Sequence, residues 1–487
     1  MTSTNSDSTA CDLLIEGAEL IDGSGTERVR TDIAIVGDRI SHLGDLKGMQ
    51  ARRRIDAAGL VAAPGFIDAH THDDRAVMAT PDMTPKLSQG VTTVITGNCG
   101  ISLAPLIDRD PVPPLNLLGD RDCFRFSSMG EYMAKVESAP PAINLAPLVG
   151  HSTLRVATMD KLDRPASDKE VDAMGALLDE ALDAGCIGMS TGLAYAPAIA
   201  APTEEIIALA EHLRSRGGVF TTHMRDEGER VVESVEESLE IGRRANVPVV
   251  ISHHKCCGRQ NYGLVKKTLA AIRAARAHQS IDLDVYPYTA SSTVLKAASV
   301  AISERVVVTW STPHPECAGR DFADIRAEWG ISVDETIDRL QPAGAIYFQM
   351  DEADLRRVLA FDDAMIGSDG LPHDAFPHPR LWGTFPRVLG HYSREVGLFT
   401  LEQAVRRMTA VPARVFGLPD RGVVRAGAFA DVVLLDPATV IDSASFESPT
   451  QMAVGIRDVI VNGTPVWHGK AWTGGRPGRI LRRATKH

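Results

Sequence analysis

Eight short apolar segments spaced through the middle of the chain constrain its fold more than any other feature. In order they read "GFIDAH", "GVTTVITG", "AINLAPLVGH", "CIGMSTG", "GGVFTTH", "VPVVISHH", "IDLDVYPY" and "AMIGSDG". Most are followed by helix-like stretches such as "SDKEVDAMGALLDEALDAG" and "TEEIIALAEHLRSRG". These two open with Ser or Thr before acidic residues and run into Gly, the usual start and stop of a helix. Alternation of this kind implies parallel βα units, and eight units imply a closed (β/α)8 barrel of the TIM type, an α/β fold.

The flanks have a different texture. "DLLIEGAELIDGSG" and "TDIAIVGDRISHLGD" near the start, and "FADVVLLDPATV" and "IRDVIVNGTPVWHGK" near the end, combine strand formers with Gly-containing turns. Both ends are therefore expected to meet in one small β-sandwich domain, residues 1–64 plus 418–487, around a barrel of residues 65–417. The stretch from about 289 to 349 is too long for a simple crossover and predicts a lid-like insertion after strand 7.

Composition narrows the function. A formal net charge of −12, from 51 Lys and Arg against 63 Asp and Glu, argues against a nucleic-acid surface, which needs a basic face. No apolar run approaches the roughly 18 residues of a membrane span. The start "MTSTNSDSTACDLL" has no basic segment followed by an apolar one, so a cytoplasmic location is expected. Seven cysteines without regular spacing form no disulfide framework. The sequence sets no oligomeric state.

Catalytic groups of such barrels sit at the C-terminal ends of the strands, and this chain places its metal-binding residue types there. Segment one ends in His70, with His72 two residues on; segment two ends at Cys99, five in His223, six in His253 and eight in Asp369. Alternation in an extended segment sends both strand-one imidazoles to the same side. Singly, each has an ordinary explanation: a hydrogen-bonded His, a small buried Cys, an Asp in a turn. Jointly they put a zinc-type ligand set, imidazole, thiolate and carboxylate, on the one face where chemistry is expected.

The motifs "PGFIDAHTHDD", "GVTTVITGNCGISLAP", "GHSTLR", "THMRDEGE", "ISHHK", "IGSDGLPHD", "HPRLWGTFPRVLGHYSRE" and "GVVRAGAFADVVLLDP" run nearly end to end. In them the chain resembles the amidohydrolase superfamily and, within it, the D-aminoacylases (N-acyl-D-amino-acid deacylases). The resemblance implies one tight Zn2+ on Cys99, His223 and His253, and a second, weaker subsite involving His70, His72 and Asp369. It implies hydrolysis of a small-molecule N-acyl-D-amino acid: metal-activated water attacks the amide and Asp369 carries the proton to the leaving amine. Lys255, Tyr286 and Arg380 match the positions assigned to the substrate α-carboxylate, a group that suits the guanidinium fork of Arg. The D stereochemistry rests wholly on the resemblance.

Two other readings compete. A cyclic-amide hydrolase of the dihydropyrimidinase or hydantoinase kind usually needs a bridging lysine, which "CIGMSTG" lacks; a metal-free binding protein would be expected to have lost ligands. Arg225, Asp226 and Glu227 are candidates to support His223, His151 is a candidate pocket residue, and His373 and His378 either line the pocket or shape its loop. His254 is expected to point away from the metal. Lys296 or Arg305 would suit an acidic side chain, but "VLKAASVAI" is mostly apolar, and the expectation leans to neutral, hydrophobic D-amino acids.

Overall fold

The eight apolar segments form eight strands: β1 (Phe66–Asp68), β2 (Val91–Thr96), β3 (Asn144–Gly150), β4 (Gly188–Gly192), β5 (Val219–His223), β6 (Val249–Ile251), β7 (Ile281–Val285) and β8 (Met365–Ile366). Each pairs in parallel with the next, in sequence order. The structure is a computed structural model that describes residues 10–107 and 109–483. Residues 1–9, on which the reading of a missing secretory signal largely rests, lie outside the described residues. Closure between β8 and β1 is made just past their ends. Ala69 N–H donates to Ile366 O at 3.2 Å and Asp369 N–H to His70 O at 2.9 Å, beside an isolated bridge between Thr71 and Gly370.

The barrel interior is apolar at its lower end. Ile67, Ile95, Leu148, Ile187, Val219, Val250 and Met365 pack there against Phe416, Leu418 and Leu481 from the C-terminal part of the chain. Helices cover the outside, among them α1 (Asp168–Ala184) and α2 (Thr203–Arg216). Ser167 and Glu170 form a capping box at the start of α1, a device that stabilises a helix by about 1 kcal/mol. Gly185 ends α1 with φ 111°, and Gly217 ends α2 with φ 66°.

Between β7 and β8 the chain leaves the barrel. Three antiparallel strands, Ala290–Val294, Arg305–Ser311 and Ala343–Phe348, carry three short helices. Leu295, Val308, Phe322, Ile337 and Tyr347 give this insertion an apolar core of its own. Strands from both chain ends share one nine-stranded sheet. Its junction is the antiparallel pairing of Val61–Pro64 with Val432–Leu435, over a core that includes Leu13, Ile15, Ile33, Val432 and Ile460. Among the described residues no helix is long and apolar enough to cross a membrane.

Candidate metal centre

The candidate ligands sit at and just beyond the strand ends. β5 ends on His223, but β2, β6 and β8 stop two or three residues before Cys99, His253 and Asp369. Those three share a rare backbone state: φ is 54° at Cys99, 36° at His253 and 50° at Asp369. A left-handed conformation at a residue with a Cβ costs on the order of 1–3 kcal/mol and persists where the surroundings enforce it. Here the sharp turn swings each side chain over the barrel mouth. The Cys99 turn has its own condition: a Cβ on Gly192, at the end of β4, would lie 2.2 Å from Cys99 O. The Cys99 carbonyl thus packs against the end of β4, where only a glycine leaves it room.

Two overlapping groups result. The ligand-type atoms of Cys99, His223 and His253 lie within 4.8 Å of one another, as do those of His70, His72, Cys99 and Asp369. Cys99 Sγ is 3.2 Å from His70 Nε2 and 3.3 Å from His253 Nε2. Asp369 Oδ1 is 3.1 Å from His72 Nε2 and 3.5 Å from His70 Nε2. All six residues are buried.

Carboxylates behind the imidazoles fix which nitrogen faces the centre. His70 Nδ1 is 3.3 Å from Asp284 Oδ2, and His253 Nδ1 is 3.0 Å from Glu227 Oε1. Both arrangements leave Nε2 turned towards Cys99, the usual way a second residue orients a metal-binding histidine. Asp284 Oδ1 also accepts the His253 backbone N–H at 2.8 Å, so this one carboxylate holds residues of both groups. Glu227 Oε2 lies 3.9 Å from His223 Nε2, whereas His223 Nδ1 is buried without a hydrogen-bond partner.

The Cys99 thiol and the Asp369 carboxyl are both favoured in their charged forms. Burial opposes ionisation of the Cys99 thiol, but the charges of His70 and His253 outweigh it and hold the thiol well below its usual range. Burial likewise opposes charge on His72, yet Asp369 and Cys99 push it up to about 9. For Asp369 burial acts upward, and Arg380, His70 and His72 reverse it, holding the carboxyl well below its ordinary value. Nitrogen, sulfur and carboxylate donors, with the Nδ1 atoms of His72 and His223 buried without partners, fit a zinc ion.

A cavity of about 360 Å³ opens onto this cluster, lined by Cys99, His223, His253, Asp369, Lys255 and Tyr286 among others. Lys255 Nζ donates to Glu227 Oε1 at 2.7 Å and lies 5.7 Å from the Tyr286 ring centre. The sequence predicts Arg380 as a carboxylate fork beside them. The structure places its guanidinium, fully buried, 2.9 Å from Asp369 Oδ2, 3.1 Å from Ser292 O and 4.6 Å from the Tyr286 ring centre. Lys296 joins the cavity wall, its Nζ 5.4 Å from the Tyr195 ring centre. Arg305 pairs instead with Asp321 at 2.9 Å.

Other sequence candidates have partners of their own. His151 is bound to Glu205 at 2.9 Å, away from the cavity wall. His254 points away from the centre to Thr268 Oγ1 at 2.8 Å. His378 shapes the loop: it accepts the Arg380 N–H and donates to Ala290 O of the insertion. Arg225 pairs with Glu237, and Asp226 accepts the N–H groups of Gly228 and Arg230, leaving Glu227 alone of that trio on the imidazoles. Cys256 and Cys257 are free thiols. Sequence reasoning missed Asp284 and Tyr195, whose ring lies 4.7 Å from that of His223. The signal for Asp284 was present: an acidic residue inside the buried run "IDLDV" requires a partner.

The barrel gathers candidate metal ligands at its strand ends, the arrangement of a hydrolase of the amidohydrolase family, and the chain belongs to that family, whose model matches residues 53–277 and 315–467. Within that family it falls among the D-aminoacylases. It is 54% identical to a D-aminoacylase of Alcaligenes xylosoxydans xylosoxydans over 99% of both chains. A solved D-aminoacylase, studied for the role of its binuclear metal center, superposes with a TM-score of 0.95 at 55% identity, covering 97% of this chain and all of that one. An N-acyl-D-glutamate deacylase from Bordetella bronchiseptica, solved with zinc and a phosphonate inhibitor, matches with a TM-score of 0.93 at 47% identity, over 97% of this chain and 100% of its own.

Proposed function

We propose that the protein is a zinc-dependent hydrolase of N-acyl-D-amino acids, releasing a carboxylate and a free D-amino acid. The observation that carries this reading is Cys99, common to two ligand groups at the floor of a cavity that also presents Lys255 and Tyr286. Cys99, His223 and His253 would hold the tighter zinc; His70, His72 and Asp369 would form the weaker subsite. When bound, zinc supplies Lewis-acid polarisation of the amide carbonyl and a lowered pKa for the attacking water.

The chain's own groups do the rest. Asp369 begins as a carboxylate, because Arg380 and two imidazoles favour its charge against burial. It can therefore accept a proton at Oδ1 or Oδ2 from the attacking water and return it to the leaving nitrogen. Lys255 Nζ and the Tyr286 hydroxyl offer the substrate α-carboxylate a charge-assisted pair of donors. Arg380, held behind Tyr286 and Asp369, supports both and adds positive potential to that end of the cavity. Ile101, Leu117, Ile199, Ile302 and Leu371 on the cavity wall support a neutral, hydrophobic side chain.

Amine release from paired N-acetyl-D- and N-acetyl-L-methionine, -leucine and -glutamate, measured beside zinc content, tests the proposal. D-selective release with methionine or leucine ahead of glutamate is expected. Zinc without release from any of them would refute the substrate class, and glutamate ahead would refute the side-chain preference.

A further inference from the structure

The two edges of the barrel, β1 and β8, carry His70, His72 and Asp369 yet share no β-ladder; a few hydrogen bonds join them. Directly at this seam lies a buried cation that the chemistry above does not use. Lys86, on the short helix Thr84–Leu87, has no exposed surface. Its Nζ donates to Asp68 Oδ2 at 2.8 Å and to Ser368 Oγ at 2.9 Å, and it stands 3.2 Å from Asp73 Oδ2. Two of its protons are thus donated to Asp68 and Ser368, with the Asp73 carboxylate at ion-pair distance.

Each partner adjoins a candidate ligand. Asp68 is two residues before His70, Asp73 follows His72, and Ser368 precedes Asp369. The other oxygen of Asp68 accepts the Ser368 N–H at 2.7 Å and the His70 N–H at 3.3 Å. Ser368 Oγ in turn accepts the Gly370 N–H at 3.2 Å. One ammonium thus ties together the residues that flank the short backbone bridge between the two strands.

We propose that Lys86 is a positioning residue that sets His70 and His72 against Asp369 across the seam, and so controls the weaker metal subsite independently of the Cys99, His223 and His253 group. The inference rests on the reading of the site as a metal centre with two subsites. A purely structural lysine, there to neutralise Asp68 and Asp73, would weaken every property of the site together, because removing one partner of a buried ion pair destabilises the fold as a whole.

The test is a Zn2+ titration of Lys86→Met and Ser368→Ala against a chromogenic chelator, with kcat and KM on N-acetyl-D-methionine and a thermal melt. Ser368→Ala removes one leg of the tripod without stranding a buried charge, so it remains readable if Lys86→Met does not fold. The weaker subsite should lose about 10–100-fold in affinity in Lys86→Met and less in Ser368→Ala, the range seen when groups orienting metal ligands are removed. The tighter subsite should hold its affinity, and kcat should fall more than KM changes. Parallel weakening of both subsites, or an unaltered weaker subsite in Ser368→Ala with normal kcat, would overturn the role of Lys86. Wild-type protein that takes up no zinc would instead overturn the metal reading beneath it.

Discussion

The two ligand groups that meet at Cys99 are built on different foundations. His223 and His253 come from β5 and β6, neighbours in a continuous parallel ladder, and Glu227 stands behind both imidazoles. His70, His72 and Asp369 come from β1 and β8, which meet only at the seam, through a few backbone bonds reinforced by side chains: Asp284 on His70, Arg380 on Asp369, Lys86 on the flanking residues. A ladder fixes position through repeated backbone bonds, whereas a short bridge leaves more of that work to the side chains around it. On the proposed function, the first group would hold the tighter metal. The second would serve proton transfer and a weaker, exchangeable subsite.

Cys99→Ala strikes both groups and should have the largest effect: activity at background, with the tight zinc lost, checked by turnover of N-acetyl-D-methionine and metal analysis. Asp369→Ala strikes only the seam side. It should lower kcat by about 10²–10⁴-fold, the usual contribution of a general acid–base group, in steady-state assays. Glu227→Gln strikes only the ladder side. It should weaken the tighter zinc by about 10–100-fold, read by chelator competition, without a matching loss at the weaker subsite. Tyr286→Phe touches neither group; loss of one hydrogen bond worth about 0.5–1.5 kcal/mol should raise KM roughly 2–10-fold with zinc content unchanged.

The barrel and most of the centre were legible in the chain because βα alternation and strand-end residues are local signals. All eight segments form the barrel strands, and the long stretch after the seventh leaves the barrel with its own small sheet. Cys99, His223, His253, His70, His72 and Asp369 converge. What escaped was set by distance in sequence. Lys86 lies in the polar run "DMTPKLSQ", which reads as an ordinary loop; only the fold brings it to Asp68 and Ser368. Arg380 is drawn to Asp369 by a buried ion pair that no local pattern announces. The turns that deliver Cys99, His253 and Asp369 at positive φ were equally invisible, since their residues are not glycine.

The most direct test of the two-foundation account is zinc retained per chain after dialysis of wild-type, Asp369→Ala and Cys99→Ala proteins against a weak chelator. The account predicts about one zinc in Asp369→Ala, as in the wild type, and none in Cys99→Ala, because a stable zinc site needs its full set of protein ligands. Equal loss from both variants, or zinc retained in Cys99→Ala, would contradict it.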